Sequence, residues 1–210
     1  MATSEPQEGD DEPGDVGRKP SALSSFWKRW RRGLVKLVVL AAVAAVAATL
    51  LRIFVLAPYY IPSESMEPTL HGCTGCDNDH VLVDKISYRF HDPRQSDIVV
   101  FDKPKGVVVP AGEDVLIKRV IALPGDTIAI KKGRVIVNGA LLKESYLNKD
   151  KSCYPSTNMV TRTVPANRVF VMGDNRCNST DSRVFGTIPE SAIVGRAWLI
   201  IWPLKRIGTL

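Results

Sequence analysis

The chain has 210 residues, 45% hydrophobic and 24% charged, which suits one folded domain with appendages and excludes a wholly disordered protein. Its formal net charge of +6 is unevenly placed: Glu5, Glu8, Asp10, Asp11, Glu12 and Asp15 crowd the start, and beyond Ala57 only 20 Lys and Arg stand against 16 Asp and Glu. Aromatic residues do not interleave with that small basic excess, so nucleic acid is not an expected partner.

Residues 1–25 are rich in Pro, Gly, Ser, Asp and Glu. They cannot bury enough apolar surface to offset the entropy of ordering, and are expected to form a disordered acidic cytoplasmic tail. Residues 26–33 carry the strongest basic run, Lys28 to Arg32, directly before an apolar stretch, which reads as a topology signal. From Leu34 to Leu56 the only charges are Lys36 and Arg52, with fifteen uncharged residues between them. Both long side chains can snorkel to an interface, so the stretch predicts one transmembrane helix over residues 34–57. A cleaved secretory signal is the competing reading, since Ala45-Val46-Ala47 has a small-x-small pattern. The leader would be long for one, and the apolar run continues past that point. Positive charge on the N-terminal side predicts a cytoplasmic N-terminus and places residues 58–210 outside.

Beyond the span, short runs rich in β-branched residues predict strands: His80 to Asp84, Asp97 to Phe101, Val115 to Leu123, a hairpin from Thr127 to Val137 turning near Lys132-Gly133, Arg168 to Met172, and Ala192 to Trp202. The spacers carry turn chemistry, as in Leu123-Pro124-Gly125-Asp126 and Gly173-Asp174-Asn175. Helix-period patterns of useful length are missing there, so residues 58–210 read as an all-β domain. The last apolar run, Ala197 to Trp202, is too short to cross a bilayer and ends at Pro203, as a core strand would.

Three blocks carry candidate chemistry. In Pro62-Ser63-Glu64-Ser65-Met66-Glu67-Pro68-Thr69, prolines restrict the backbone around Ser65. A serine hydroxyl is a poor nucleophile until a neighbouring base takes its proton. Lys118 interrupts the apolar strand Val115 to Ile121, where desolvation would disfavour its ammonium and free the amine as that base. The polar block Gly173-Asp174-Asn175-Arg176-Cys177-Asn178-Ser179-Thr180-Asp181-Ser182-Arg183 follows a predicted strand and offers hydroxyls to orient an amine. Each block also has a bland reading, as a juxtamembrane loop, a surface lysine and a solvated turn. A histidine base is the other option, but His71, His80 and His91 sit in or beside turns and no Gly-x-Ser-x-Gly elbow accompanies them.

In wording and order the three blocks together resemble the boxes of type I signal peptidases, membrane-bound serine proteases that remove signal peptides from exported proteins; the resemblance runs from about Leu34 to Trp202. It implies an all-β ectodomain of antiparallel sheets behind one N-terminal transmembrane α-helix, single-pass in a bacterial cell membrane. It further implies Ser65 as nucleophile, Lys118 as general base, Ser63 with the Ser65 N–H as oxyanion hole, and Ser179 as the hydroxyl orienting the lysine. Asp181 and Arg183 fall on a structural ion pair, and Tyr59, Ile61, Pro62, Met66, Leu116 and Ile117 on shallow apolar subsites. Such subsites favour Ala-x-Ala before the cleaved bond, with the substrate strand held by backbone hydrogen bonds. The implied partners are preprotein signal peptides, the lipid bilayer and the protein-export machinery; no metal or organic cofactor is called for.

Cys177 departs from the usual closing box, and Cys153 is its expected disulfide partner outside the cytoplasm. Cys73 and Cys76 form a Cys-x-x-Cys that reads as a short disulfide, a redox pair or half of a metal site. Two other functions compete with secretory processing: a self-cleaving Ser-Lys repressor, for which no recognition helix is found, and a membrane-anchored β domain that only binds peptides.

Overall fold

The computed structural model describes residues 22–108, 114–147 and 158–210. The chain divides into two units, Met1–Ala48 and Thr49–Leu210. The expected tail falls outside the described residues up to position 21. A long helix, α1, runs Ala22–Phe54, and its window Gly33–Leu50 has a mean hydropathy of 2.3 with none of it buried. Leu34, Val35, Leu37, Val38 and Leu40 are all exposed, so the helix shows apolar side chains around its whole circumference. That pattern suits lipid surroundings, and the length and composition suffice to cross a bilayer. The boundaries differ from the predicted 34–57: the helix takes in residues 26–33 and stops at Phe54. Leu56 and Ala57, expected in the span, instead pair with Asp84 and Val83.

After the helix the described residues form antiparallel sheets, as expected. In chain order the strands are β1 (Leu56–Tyr60), β2 (His80–Asp84), β3 (Ile98–Asp102), β4 (Val115–Ala122), β5 (Thr127–Lys131), β6 (Arg134–Val137), β7 (Ala140–Leu141), β8 (Met159–Thr163), β9 (Arg168–Met172), β10 (Ile188–Pro189), β11 (Ile193–Trp202) and β12 (Gly208–Thr209). The larger sheet has the order β1-β2-β11-β3-β4-β9-β10, with β12 on β11; the smaller is β7-β6-β5-β8. Pro58, which cannot donate to a ladder, sits in β1 at the end of the larger sheet, where such a residue is tolerated. The sequence pattern missed β8, since four of its five residues are exposed and no apolar alternation marks it, and the two-residue strands β7, β10 and β12, which are too short to show a period.

Strand β4 is the centre of the domain. Leu116 and Val120 pack with Val99, Phe101, Val169 and Ile188, whereas Ile117 joins Val81, Val83, Val100 and Ile200 in a second cluster. Ile121 belongs to a third, with Phe170 and Met172 of the larger sheet and Ile128, Ile130 and Val135 of the smaller. Every residue from Leu116 to Ala122 is therefore buried. A lysine in such a strand has no solvent face to occupy.

Candidate active site

The segment after β1 turns inward because Ile61, Met66 and Leu70 are buried in the cluster that holds Ile117. Between them Glu64–Met66 forms one 3-10 turn, preceded by Ser63 in extended conformation. This geometry buries Ser65 to 7% exposure and directs its hydroxyl at β4. Lys118, at the middle of β4 and only 3% exposed, donates from Nζ to Ser65 Oγ at 2.7 Å. Ser63 Oγ lies 3.3 Å from Ser65 Oγ.

The polar block after β9 clamps this turn from the other side. Asn175 N–H donates to the Ser65 carbonyl at 3.1 Å, its Nδ2 to the Glu64 carbonyl at 3.1 Å, and Asn178 Nδ2 to Glu64 Oε2 at 3.3 Å. Gly173 presses against the same place, since a Cβ there would collide with the Ser65 carbonyl oxygen and with Ser179 Oγ. Only glycine fits that approach. The loop itself is braced by Asp181, fully buried: it accepts from Gly173 N–H at 3.0 Å and from Arg183 Nε and Nη2 at 2.8 and 2.7 Å. Arg183 Nη1 in turn donates to the Arg176 carbonyl at 2.7 Å.

Three details differ from the sequence reading. Ser179, expected to hold the lysine amine, has a buried hydroxyl with no hydrogen-bond partner among the described residues, and lies over Gly173. Met66, expected to line a subsite, is fully buried in the core, because the 3-10 turn points it away from the groove. Asn175 was missed as a backbone clamp, although its place in the Gly-Asp-Asn turn was the signal available. Cys73 and Cys76 are joined as a disulfide, which is one of the three readings of the Cys-x-x-Cys. Cys177 is also disulfide-bonded, and its expected partner Cys153 lies outside the described residues.

A shallow cavity of about 30 Å³ opens beside the serine, lined by Tyr59, Ile61, Pro62, Leu116, Ile117 and Lys118, with Val100 and Val115 as walls the sequence did not suggest. Its two sides are strand edges. Strand β1 ends the larger sheet, and β4 pairs with β3 along its whole start while its ladder to β9 begins only at Arg119. Leu116 to Lys118 thus keep one backbone edge unpaired among the described strands. Burial, and then the charge of Asp102, push the Tyr59 phenol up, keeping it neutral at the groove wall. The histidines are engaged elsewhere: His71 Nδ1 with Glu67, His91 Nδ1 with the Asp92 carbonyl, and His80 edge-on to Tyr60.

A hydroxyl buried against an amine, at the head of a groove with open strand edges, places the molecule among serine peptidases that work without histidine. The family profile described as "Signal peptidase, peptidase S26" matches residues 33–202. A signal peptidase I of Mycobacterium tuberculosis is 40% identical over 201 residues, covering 75% of this chain and 68% of that protein. One from Leptolyngbya laminosa is 43% identical over 162 residues, covering 76% and 75%. A crystal structure of a signal peptidase I from Enterococcus faecalis shares 30% identity at a TM-score of 0.43, covering 50% of this chain and 97% of that one. The chain belongs to the signal peptidase family, peptidase S26, and its activity is that of a serine endopeptidase cleaving signal peptides. The resemblance read from the three boxes is borne out at that level.

Proposed function

We propose that Ser65 and Lys118 are the catalytic pair of this signal peptidase, and that it cuts exported preproteins after Ala-x-Ala at the outer face of a bacterial cell membrane. The contact of 2.7 Å between a buried amine and a buried hydroxyl carries this reading. Burial disfavours the ammonium, so the amine can take the Ser65 proton as Oγ attacks the scissile carbonyl carbon. The oxyanion that forms is met by the Ser65 N–H and the Ser63 hydroxyl. Lys118, now charged, gives its proton to the departing amine, leaving an acyl-enzyme on Ser65. A water deprotonated by Lys118 then attacks the ester and frees the enzyme.

The substrate would enter extended, adding to the unpaired edges of β1 and β4, with small side chains in a cavity that has little room for larger ones. Asp181 and Arg183 act at one remove, holding the loop that clamps the Ser65 carbonyl. Ser179, whose hydroxyl crowds Gly173 together with the Ser65 carbonyl, would have to turn toward the amine to steady it during turnover. The bilayer is a partner through α1, and the export machinery is the source of substrate. With the basic run on the cytoplasmic side, protease added outside intact cells should digest residues 58–210 and spare the N-terminus. Full protection of the domain would reverse the orientation.

The oxyanion assignment is tested by Ser63→Ala in a preprotein-cleavage assay on the detergent-solubilised chain. Losing one donor that acts mainly on transition-state charge should lower kcat by about 10²-fold or more with KM little changed. His91→Ala should leave both constants near wild type. A Ser63→Ala enzyme with unaltered kcat would remove this hydroxyl from the oxyanion hole.

A further inference from the structure

The turn that follows the nucleophile segment carries a second cluster that the chemistry above does not use. Among the described residues, His71, Cys73 and Cys76 are the one group of three or more histidine, cysteine or acidic side chains whose ligand atoms all lie within 4.8 Å of one another. The two cysteines are joined as a disulfide with Cα atoms 5.6 Å apart. All three side chains are partly exposed, so a reductant and an ion can both reach them.

The shape of this turn does not depend on sulfur. His71 N–H donates to Asp79 Oδ2 at 2.7 Å, and Asp79 N–H returns to the His71 carbonyl at 2.8 Å. Cys73 N–H donates to Asn78 Oδ1 at 2.8 Å, and Asn78 N–H to the Cys76 carbonyl at 3.0 Å. Asp79 is fully buried and fixed by Arg206, whose Nε and Nη2 reach it at 2.8 and 3.0 Å. Gly72 is wedged at the base, where a Cβ would come within 2.6 Å of the Ile61 and Ser63 carbonyl oxygens. Opening the disulfide therefore leaves two thiols on a pinned turn beside an imidazole.

That imidazole is already oriented. His71 Nδ1 bonds the Glu67 carboxylate, which holds the proton on Nδ1 and leaves the Nε2 lone pair for an ion, the arrangement that tunes metal-binding histidines. Two thiolates and one imidazole select zinc-like divalent ions over magnesium or calcium, which prefer oxygen.

We infer that the reduced turn is a binding site for a zinc-class divalent cation, held by Cys73 Sγ, Cys76 Sγ and His71 Nε2, and that the disulfide is its closed form. A dithiol reductant passes two electrons and two protons to the S–S bond and leaves as its own cyclic disulfide. The cation then displaces one proton from each new thiol. Exchange with a protein or small-molecule disulfide reoxidises the pair: that disulfide takes up the two electrons and two protons and leaves as two thiols, which removes both thiolates and releases the ion.

The test uses the full chain in detergent, reduced with a phosphine, desalted without oxygen and assayed for free thiols, then titrated with Co²⁺ as a spectroscopic probe. At one equivalent the reduced protein should show tetrahedral d–d bands and a thiolate-to-cobalt charge-transfer band, both erased by added Zn²⁺; the oxidised protein should show neither. Cys73→Ser or Cys76→Ser should abolish the one-equivalent signature, His71→Ala should weaken cobalt binding by about tenfold or more, and Cys177→Ser should change nothing. If a serine variant loses its β-sheet circular dichroism, methylating the thiols of the reduced wild type asks the same question. Reduced protein with its thiols counted but no cobalt signature overturns the site, as does a signature that survives Cys73→Ser or is indifferent to His71→Ala.

Discussion

Lys118→Met is expected to lower signal-peptide cleavage by about 10⁴-fold or more, with Ser65→Ala as severe, because each removes half of a unit that acts only as a pair. The methionine is one atom shorter but equally unbranched, and fits an apolar strand whose neighbours Ile117 and Val120 are themselves buried, so the fold should be retained. The double variant should be scarcely worse than either single one, since the second change removes nothing the first had left working. In the wild type, kcat/KM should fall on acidification as the amine is held charged, and that limb should vanish from the residual activity of Lys118→Met. Single-turnover assays on a preprotein ending its signal in Ala-x-Ala check all three points. A Lys118→Met enzyme within tenfold of wild type would mean that another group takes the Ser65 proton.

Arg119→Ala should cost about 3–5 kcal/mol of folding stability, the penalty for leaving a buried carboxylate without its partner. Arg119 bonds Asp174 twice, Nε to Oδ1 at 2.9 Å and Nη2 to Oδ2 at 2.7 Å, with the two side chains 9% and 0% exposed. Its Nη1 donates to the Ser96 carbonyl at 2.9 Å, and Thr69 Oγ1 donates to Asp174 Oδ2 at 2.5 Å. The guanidinium also lies 4.0 Å above the Tyr146 ring. Burial, followed by the Glu144 charge, pushes that phenol well up, so the ring stays neutral beneath the cation. This pair links β4, one residue from Lys118, to the loop that clamps Ser65, so cleavage should fall along with stability. Replacing both partners, Arg119→Met with Asp174→Leu, should cost less than Arg119→Ala alone, since no charge is then stranded. Denaturant unfolding of the solubilised protein reads each value. A loss below about 1 kcal/mol for Arg119→Ala would show that water or another group satisfies Asp174.

Neither of these effects weighed equally in the sequence. Lys118 was legible because a lysine inside Val115 to Ile121 conflicts with its apolar surroundings, and such conflicts mark sites where function overrides local preference. Arg119 stands in the same run, yet its partner Asp174 lies 55 residues away inside a polar block that resembles any solvated turn. Only packing reveals that this aspartate is buried. The failure at Met66 has a similar source: motif position placed it at the groove, whereas the 3-10 turn points successive side chains in directions that linear spacing does not give.

The positions of β2 to β6, β9 and β11, the apolar span and the three ordered boxes were written into local composition, because periodicity, turn residues and charge placement act over a few residues and need no distant partner. Residues 53 apart supply the hydroxyl and the amine, and their meeting at 2.7 Å is a property of the folded sheet alone. So are the open edge of β4 from Leu116 to Lys118, the burial of both its faces, and the Gly173 contact with the Ser65 carbonyl. Those features depend on which strands become neighbours, and strand order is fixed by the summed burial of the whole domain, which no single stretch of the chain encodes.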